Sequence, residues 1–177
     1  MRITILTISD RASRGAYEDL GGPAIDSWLR RTVTTPMEIS RKIISDGFET
    51  VRDELIALCD RETVDMVLTT GGTGPSPRDL TPEAMRAVLA KEFPGFGELM
   101  RRASLEHVPT AILSRQTAGT RGKTFILNLP GAPSSIDVCL NAVFAAIPYC
   151  LQLIGAGHME TDPAILEAYW PGRLNSR

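Results

Sequence analysis

Val64-Asp65-Met66-Val67-Leu68-Thr69-Thr70-Gly71-Gly72-Thr73-Gly74-Pro75-Ser76-Pro77-Arg78-Asp79-Leu80-Thr81-Pro82 is the stretch on which the fold turns. Its first seven residues are mostly apolar and predict a strand over 64–70 that runs straight into a glycine-rich loop. Thr81 then reads as a helix cap with Pro82 at the first helical position, and Ala84, Met85, Val88 and Leu89 form one apolar stripe. A buried strand, a tight loop and an amphipathic helix in that order make one unit of an α/β protein.

The same unit recurs on both sides. Upstream, Ile3-Thr4-Ile5-Leu6-Thr7-Ile8 reads as a strand covered on both faces, followed by the polar turn Ser9-Asp10-Arg11 and a helix opened by Pro23 with Ala24, Ile25, Trp28 and Leu29 inward. A second strand over 37–44 leads through Ser45-Asp46-Gly47 to a helix carrying Val51, Leu55, Ile56 and Cys59. Downstream, Pro94-Gly95-Phe96-Gly97 precedes a helix over 98–106, and 119–122 reads as a turn before a strand over 124–129 closed by Pro130-Gly131. A helix from Ser134 carries Ile136, Leu140, Val143, Phe144 and Ile147, with Pro148 kinking or restarting it. These alternations predict a three-layer α/β/α sandwich with a mostly parallel sheet. The expected organisation is one catalytic domain over 1–155 and a loosely ordered polar tail over 156–177.

Bulk composition narrows the function classes. The 177 residues are 43% apolar and 23% charged, ordinary for a globular domain, and the net charge of −2 offers no basic field for nucleic acid. No run approaching the roughly 18 apolar residues of a bilayer span is expected, nor a signal peptide, so the reading is cytoplasmic, with no membrane partner. Cys59, Cys139 and Cys150 lack metal-ligand spacing and read as reduced core thiols. His107 and His158 accompany no nucleophile motif.

Ligands of such sheets lie beyond the carboxyl ends of the strands. Ser9-Asp10-Arg11, Asp46, the 71–74 loop and the segment from Asn128 to Gly131 all follow predicted strand ends, so they are expected to meet at one rim. Backbone amides of Gly71, Gly72 and Gly74, with the hydroxyls of Thr70 and Thr73, suit a tetrahedral oxyanion such as phosphate. A plain tight turn is the bland alternative for that loop. Asp46 and Asp79 follow strands consecutive in the chain and are candidate ligands for Mg²⁺, which takes one or two carboxylates plus substrate phosphates; each alone would be an ordinary helix cap. Arg101, Arg102 and Arg115 read as surface charges or, if they face the rim, phosphate partners.

Two familiar signatures fail. Gly119-Thr120-Arg121-Gly122-Lys123-Thr124 ends like a phosphate-binding P-loop, but Thr117 replaces the first glycine and the segment enters a strand rather than a helix. The Rossmann glycine pattern is broken by Pro77.

Taken together, SDR at 9–11, TTGGTGPSPRD at 69–79, PGFGE at 94–98, ILSRQTAG at 112–119 and LNLPGAP at 127–133 resemble, in order and spacing, the molybdopterin adenylyltransferases of the MogA type. The resemblance implies a homotrimer with a molybdopterin-binding-domain fold. Its implied activity is ATP- and Mg²⁺-dependent transfer of AMP to molybdopterin with release of pyrophosphate, in molybdenum cofactor biosynthesis, ahead of a molybdate-inserting partner. It puts the family's essential aspartates on Asp46 and Asp79, its phosphate loop on 71–74, and further substrate contacts on Ser9, Asp10, Ser114 and Asn128. A MoaB-type paralogue and a non-catalytic trimeric scaffold of the same fold are the alternatives, and retention of both aspartates speaks against the scaffold.

Overall fold

The computed structural model describes residues 1–172. Its strands are β1 (Arg2–Ile8), β2 (Glu38–Ile44), β3 (Met66–Thr70), β4 (Lys91–Glu92), β5 (Ala118–Arg121) and β6 (Thr124–Leu129). Its helices are α1 (Asp10–Ser13), α2 (Gly21–Thr32), α3 (Phe48–Ile56), α4 (Thr81–Val88), α5 (Pro94–Leu105), α6 (Pro133–Val143) and α7 (Ile147–Leu153). They form one six-stranded sheet in the order β2-β1-β3-β6-β5-β4. β2, β1, β3 and β6 run parallel, while β5 and β4 join as antiparallel neighbours.

Strand alternation separates two cores. Ile3 and Ile5 of β1, Met66 and Leu68 of β3, and Phe125 and Leu127 of β6 pack with Ile25, Trp28 and Leu29 of α2 and Ile136 and Leu140 of α6. The residues between them, Leu6 and Ile8, Val67 and Ile126, pack on the opposite face with Val51 and Leu55 of α3 and Met85 of α4. Successive side chains of a strand point to opposite faces, so strands covered by helices on both sides are apolar throughout. All of β3 and β6 are buried accordingly.

This layering positions the functional rim. The β1-to-β2 crossover carries α2 on one face, and the β2-to-β3 crossover carries α3 on the other, so the chain reverses direction across β1. Such a reversal leaves a crevice beyond the carboxyl ends of the central strands. The strands leading to Asp46 and Asp79 are consecutive in the chain but not adjacent in the sheet, because β1 lies between β2 and β3.

Several local expectations are corrected. Residues 119–121 are not a turn but most of β5, paired with β4 and β6, and only the Arg121-to-Thr124 connection turns. Gly119 serves close approach: a Cβ there would lie 2.3 Å from the Lys91 carbonyl oxygen. The 98–106 helix begins earlier, at Pro94, with Pro-Gly-Phe-Gly as its first turn. α2 likewise begins at Gly21, where the Asp19 carboxylate accepts from the Gly22 N–H at 3.0 Å. Thr81 is not the cap of α4 but its first residue, its hydroxyl donating instead to the Gly71 carbonyl at 3.1 Å. Pro148 sits in the first turn of α7 and restarts the helix.

The stretch Pro133–Leu153 is long and apolar enough to cross a membrane by length and composition, contrary to the expectation of no such run. Its apolar side is spent on the protein's own interior, since Ile136, Leu140, Phe144, Ile147 and Leu151 are all inaccessible to solvent. The tail is also better anchored than its polarity suggests. Thr161 bridges Val33, the Thr34 N–H donates to the Glu160 carbonyl at 3.0 Å, Met159 is buried, and the Trp170 ring stacks on His158. The remainder of the expected tail, 173–177, lies outside the described residues. Cys59, Cys139 and Cys150 are unbridged, and the first two are buried.

Candidate active site

The 71–74 loop leaves β3 through two left-handed residues, Gly71 at φ +100° and Gly72 at φ +62°. Side chains would not fit there, because a Cβ on Gly71 would come within 2.2 Å of the Ile8 carbonyl oxygen and one on Gly72 within 2.2 Å of the Thr81 hydroxyl. The loop's carbonyls all face protein donors. Gly71 O accepts from Thr81 Oγ1, Gly72 O from the Thr81 N–H at 3.1 Å, Thr73 O from the Arg115 N–H at 2.9 Å and Gly74 O from Arg115 Nε at 3.0 Å. The N–H groups of Gly72, Thr73 and Gly74, in contrast, donate to no acceptor among the described residues. Turning the acceptors inward and leaving consecutive donors available is how a backbone nest prepares for an anion.

Two cavities meet at this loop. One, of about 530 Å³, is lined by the ends of β1 and β3, α1 and Asp46. The other, of about 500 Å³, lies toward α5 and the short 3₁₀ turn Pro109–Leu113. Gly71, Gly72, Asp79 and Gly131 line both, so the start of the loop is a wall the two cavities share.

The first cavity is dominated by carboxylates and guanidinium groups. Asp46 Oδ2 accepts from the Asp10 N–H at 2.7 Å, and Asp10 Oδ1 accepts from the Asp46 N–H at 3.2 Å, a reciprocal pair that ties the β1 and β2 loops together. Arg78 closes the knot, with Nε 2.7 Å from Asp10 Oδ2 and Nη2 donating to Asp10 Oδ1 and to the Asp46 carbonyl, each at 3.0 Å. The hydrogen bond from Arg78 holds the Asp10 carboxyl below its ordinary value against the opposing effect of desolvation. Asp79 uses one oxygen, Oδ2, to accept the Ser76 N–H at 3.0 Å.

The second oxygens, Oδ1 of Asp46 and Oδ1 of Asp79, accept nothing from a described residue, and both residues line the first cavity. Among the described residues no cluster of three or more His, Cys, Asp or Glu is arranged to hold a metal. Asp46 and Asp79 thus each keep one carboxylate oxygen without a protein donor on the wall of the first cavity, the type of ligand that a hard cation such as Mg²⁺ takes together with phosphate and water.

The residues expected at the rim divide into groups. Ser9, Asp10, Thr70, Gly71, Gly72, Asp46 and Asp79 line the first cavity, and Gly71, Gly72, Thr73, Gly74, Ser114 and Asp79 line the second. Thr70 is nearly buried, and its hydroxyl proton is committed to the Pro130 carbonyl at 2.8 Å. Ser9 caps α1 through its Oγ. Ser114 has its Oγ buried without a partner. Asn128 lines neither cavity; it is fully buried, its Nδ2 donating to Thr69 Oγ1 at 3.0 Å with Oδ1 unpartnered.

Arg115 does not reach into either cavity. It supports the loop from behind, bonding Gly74 O, Asp79 O and the Glu83 carboxylate. Arg101 likewise donates to the Ser114 and Gln116 carbonyls. Sequence reasoning did not single out Thr7 and Asp19, whose side chains bond at 2.9 Å on the wall of the first cavity, nor Gln116 in the second. The Gly21-Gly22-Pro23 run was the available signal, because a Cβ on Gly22 would come within 2.5 Å of the Asp19 carboxylate.

Residues 4–149 match the family described as the probable molybdopterin binding domain. The chain is 51% identical over 171 residues to the molybdopterin adenylyltransferase of Helicobacter pylori strain J99, covering 97% of each chain. It is 45% identical over 183 residues to the enzyme of the same name from Escherichia coli K12, covering 97% of this chain and 94% of that one. The crystal structure of the molybdopterin biosynthesis enzyme MoaB from Thermus thermophilus matches with a TM-score of 0.80 at 42% identity, over 89% of this chain and 98% of that one.

Proposed function

The chain belongs to the molybdopterin-binding-domain family, and from that premise we propose that it is a molybdopterin adenylyltransferase of molybdenum cofactor biosynthesis, using ATP with Mg²⁺. The observation that carries the chemistry is the 71–74 loop, whose Gly71 and Gly72 line both cavities while Thr73 and Gly74 line the second, with Asp79 on the wall of each. A transfer between two phosphate-bearing substrates needs them side by side at one anion site, and two cavities meeting at Gly71 and Gly72 support that reading.

In the proposed reaction a terminal phosphate oxygen of molybdopterin forms a bond to the α-phosphorus of ATP. The bond from that phosphorus to the bridging oxygen of the β-phosphate breaks, and pyrophosphate departs with its electron pair. No protein nucleophile is needed. The amides of Gly72, Thr73 and Gly74 bind phosphate oxygens and hold the reacting groups in line. Asp46 Oδ1 and Asp79 Oδ1 would hold Mg²⁺, which when bound offsets the charge of the transferring phosphates. Arg78 keeps Asp10 and Asp46 in place, and Arg115 keeps the loop's carbonyls turned away from the anion. A homotrimer working in the cytoplasm and a downstream molybdate-inserting enzyme complete the proposal, on the resemblance to the MogA type.

The decisive experiment measures molybdopterin-AMP and pyrophosphate with purified protein, molybdopterin, ATP and Mg²⁺. Asp79→Asn retains an acceptor for the Ser76 N–H and should fold as wild type while losing about a hundredfold or more in turnover. Near-normal turnover by that variant would remove Asp79 from the mechanism, and no product from wild type would remove the activity.

A further inference from the structure

The first cavity carries a feature that phosphate and metal binding do not use. Arg11 and Tyr17 both line it, with the Arg11 guanidinium carbon 5.0 Å from the centre of the Tyr17 ring. That contact orients an aromatic ring in a loop that would otherwise leave it free. Tyr17 nevertheless stays 48% exposed, and Leu20, on the same wall, is 45% exposed. With the Arg11 guanidinium over one face of the ring, the other face of this half-exposed Tyr17, beside a carboxylate-rich cavity, has the chemistry of a platform for a planar heteroaromatic ring.

Both proposed substrates contain such a ring, so the cavity must be assigned to one of them. Asp46, Asp10 and Arg78 line the first cavity and not the second, whose walls include Val108, Ala111 and Leu113. A metal-bearing polyphosphate therefore belongs in the first cavity, and the ring attached to it is the nucleobase. We propose that Tyr17, held by Arg11, is the stacking platform for the adenine of ATP, and that this residue makes the first cavity a nucleotide site. The inference rests on the adenylyl-transfer reading above.

The test compares wild type, Tyr17→Phe and Tyr17→Ala for binding of ATP and of inorganic triphosphate, and for KM of each substrate in steady state. Loss of one base-stacking contact corresponds to a weakening of about tenfold. Tyr17→Ala should raise Kd and KM for ATP by about that factor while leaving triphosphate binding and the molybdopterin KM unchanged, and Tyr17→Phe should behave as wild type. Unchanged ATP affinity in Tyr17→Ala overturns the platform while leaving adenylyl transfer intact, as does an effect confined to molybdopterin. Failure of wild type to bind ATP at all overturns the adenylyl-transfer reading and the platform with it. Equal weakening of ATP and triphosphate would show a collapsed phosphate loop and likewise refute stacking.

Discussion

Gly72→Ala tests whether the phosphate loop is built as described, because the structure contains its own control. Gly72 and Gly15 share a left-handed φ, +62° and +69°, but a Cβ on Gly72 would lie 2.2 Å from Thr81 Oγ1, whereas nothing lies within 4 Å of one on Gly15. Both alanines suffer the left-handed strain of about 1–2 kcal/mol. Only the first must also displace Thr81, which is 1% exposed and has no open space to enter. Displacement breaks the bond from Thr81 Oγ1 to the Gly71 carbonyl, adding about 1–2 kcal/mol for the lost pair and its orphaned acceptor. Gly72→Ala should therefore lose about 2–4 kcal/mol and Gly15→Ala about 1–2 kcal/mol in urea unfolding followed by tryptophan fluorescence, with equal m values. Gly72→Ala should also weaken ATP binding, since its amide belongs to the anion nest. Equal destabilisation of the two variants, or normal ATP affinity in Gly72→Ala, would refute the loop architecture.

Three further outcomes follow from the same geometry. Because Arg78 lowers the folded-state pKa of Asp10, the stability that their pair supplies is present above the ordinary aspartate value of 3.8 and lost as pH falls through the lower folded value. Wild type should thus exceed Arg78→Ala in stability from neutral pH down to that range and converge with it in stronger acid, as read by denaturant melts across pH. Arg115→Lys keeps the charge but cannot bond Gly74 O, Asp79 O and Glu83 at once, so kcat should fall by about tenfold or more with little change in circular dichroism. Burial pushes the Cys59 thiol up to about 11, which leaves about one thiolate in a thousand at pH 8. Iodoacetamide at that pH should label Cys59 slowly in native protein and rapidly in urea, as followed by mass spectrometry.

What the sequence alone determined is what depends on local pattern. The apolar run before Gly71, the repeated strand-then-polar-turn order and the Thr-Pro helix start are all written within a few residues. They were enough to expect a mainly parallel α/β sheet with Ser9, Asp10, Asp46 and the 71–74 loop at one rim. Where local signals were ambiguous the reading slipped: Gly119 looks like a turn residue because glycine serves turns, but here it admits the β4 backbone, and the polar tail conceals Met159 and Trp170, which pack on the body.

Tertiary structure alone decided how distant residues share work. Strand order puts β1 between the strands leading to Asp46 and Asp79, which is why Asp10, at the start of α1 just past the end of β1, becomes the knot that Arg78 grips across 68 residues of chain. It also turns Arg115 behind the loop, buries Asn128 away from both cavities, and divides the rim into two chambers with one shared wall. Hydrophobic period fixes which face of an element is buried, but it carries no information about which elements become neighbours, and the site is made of those neighbours.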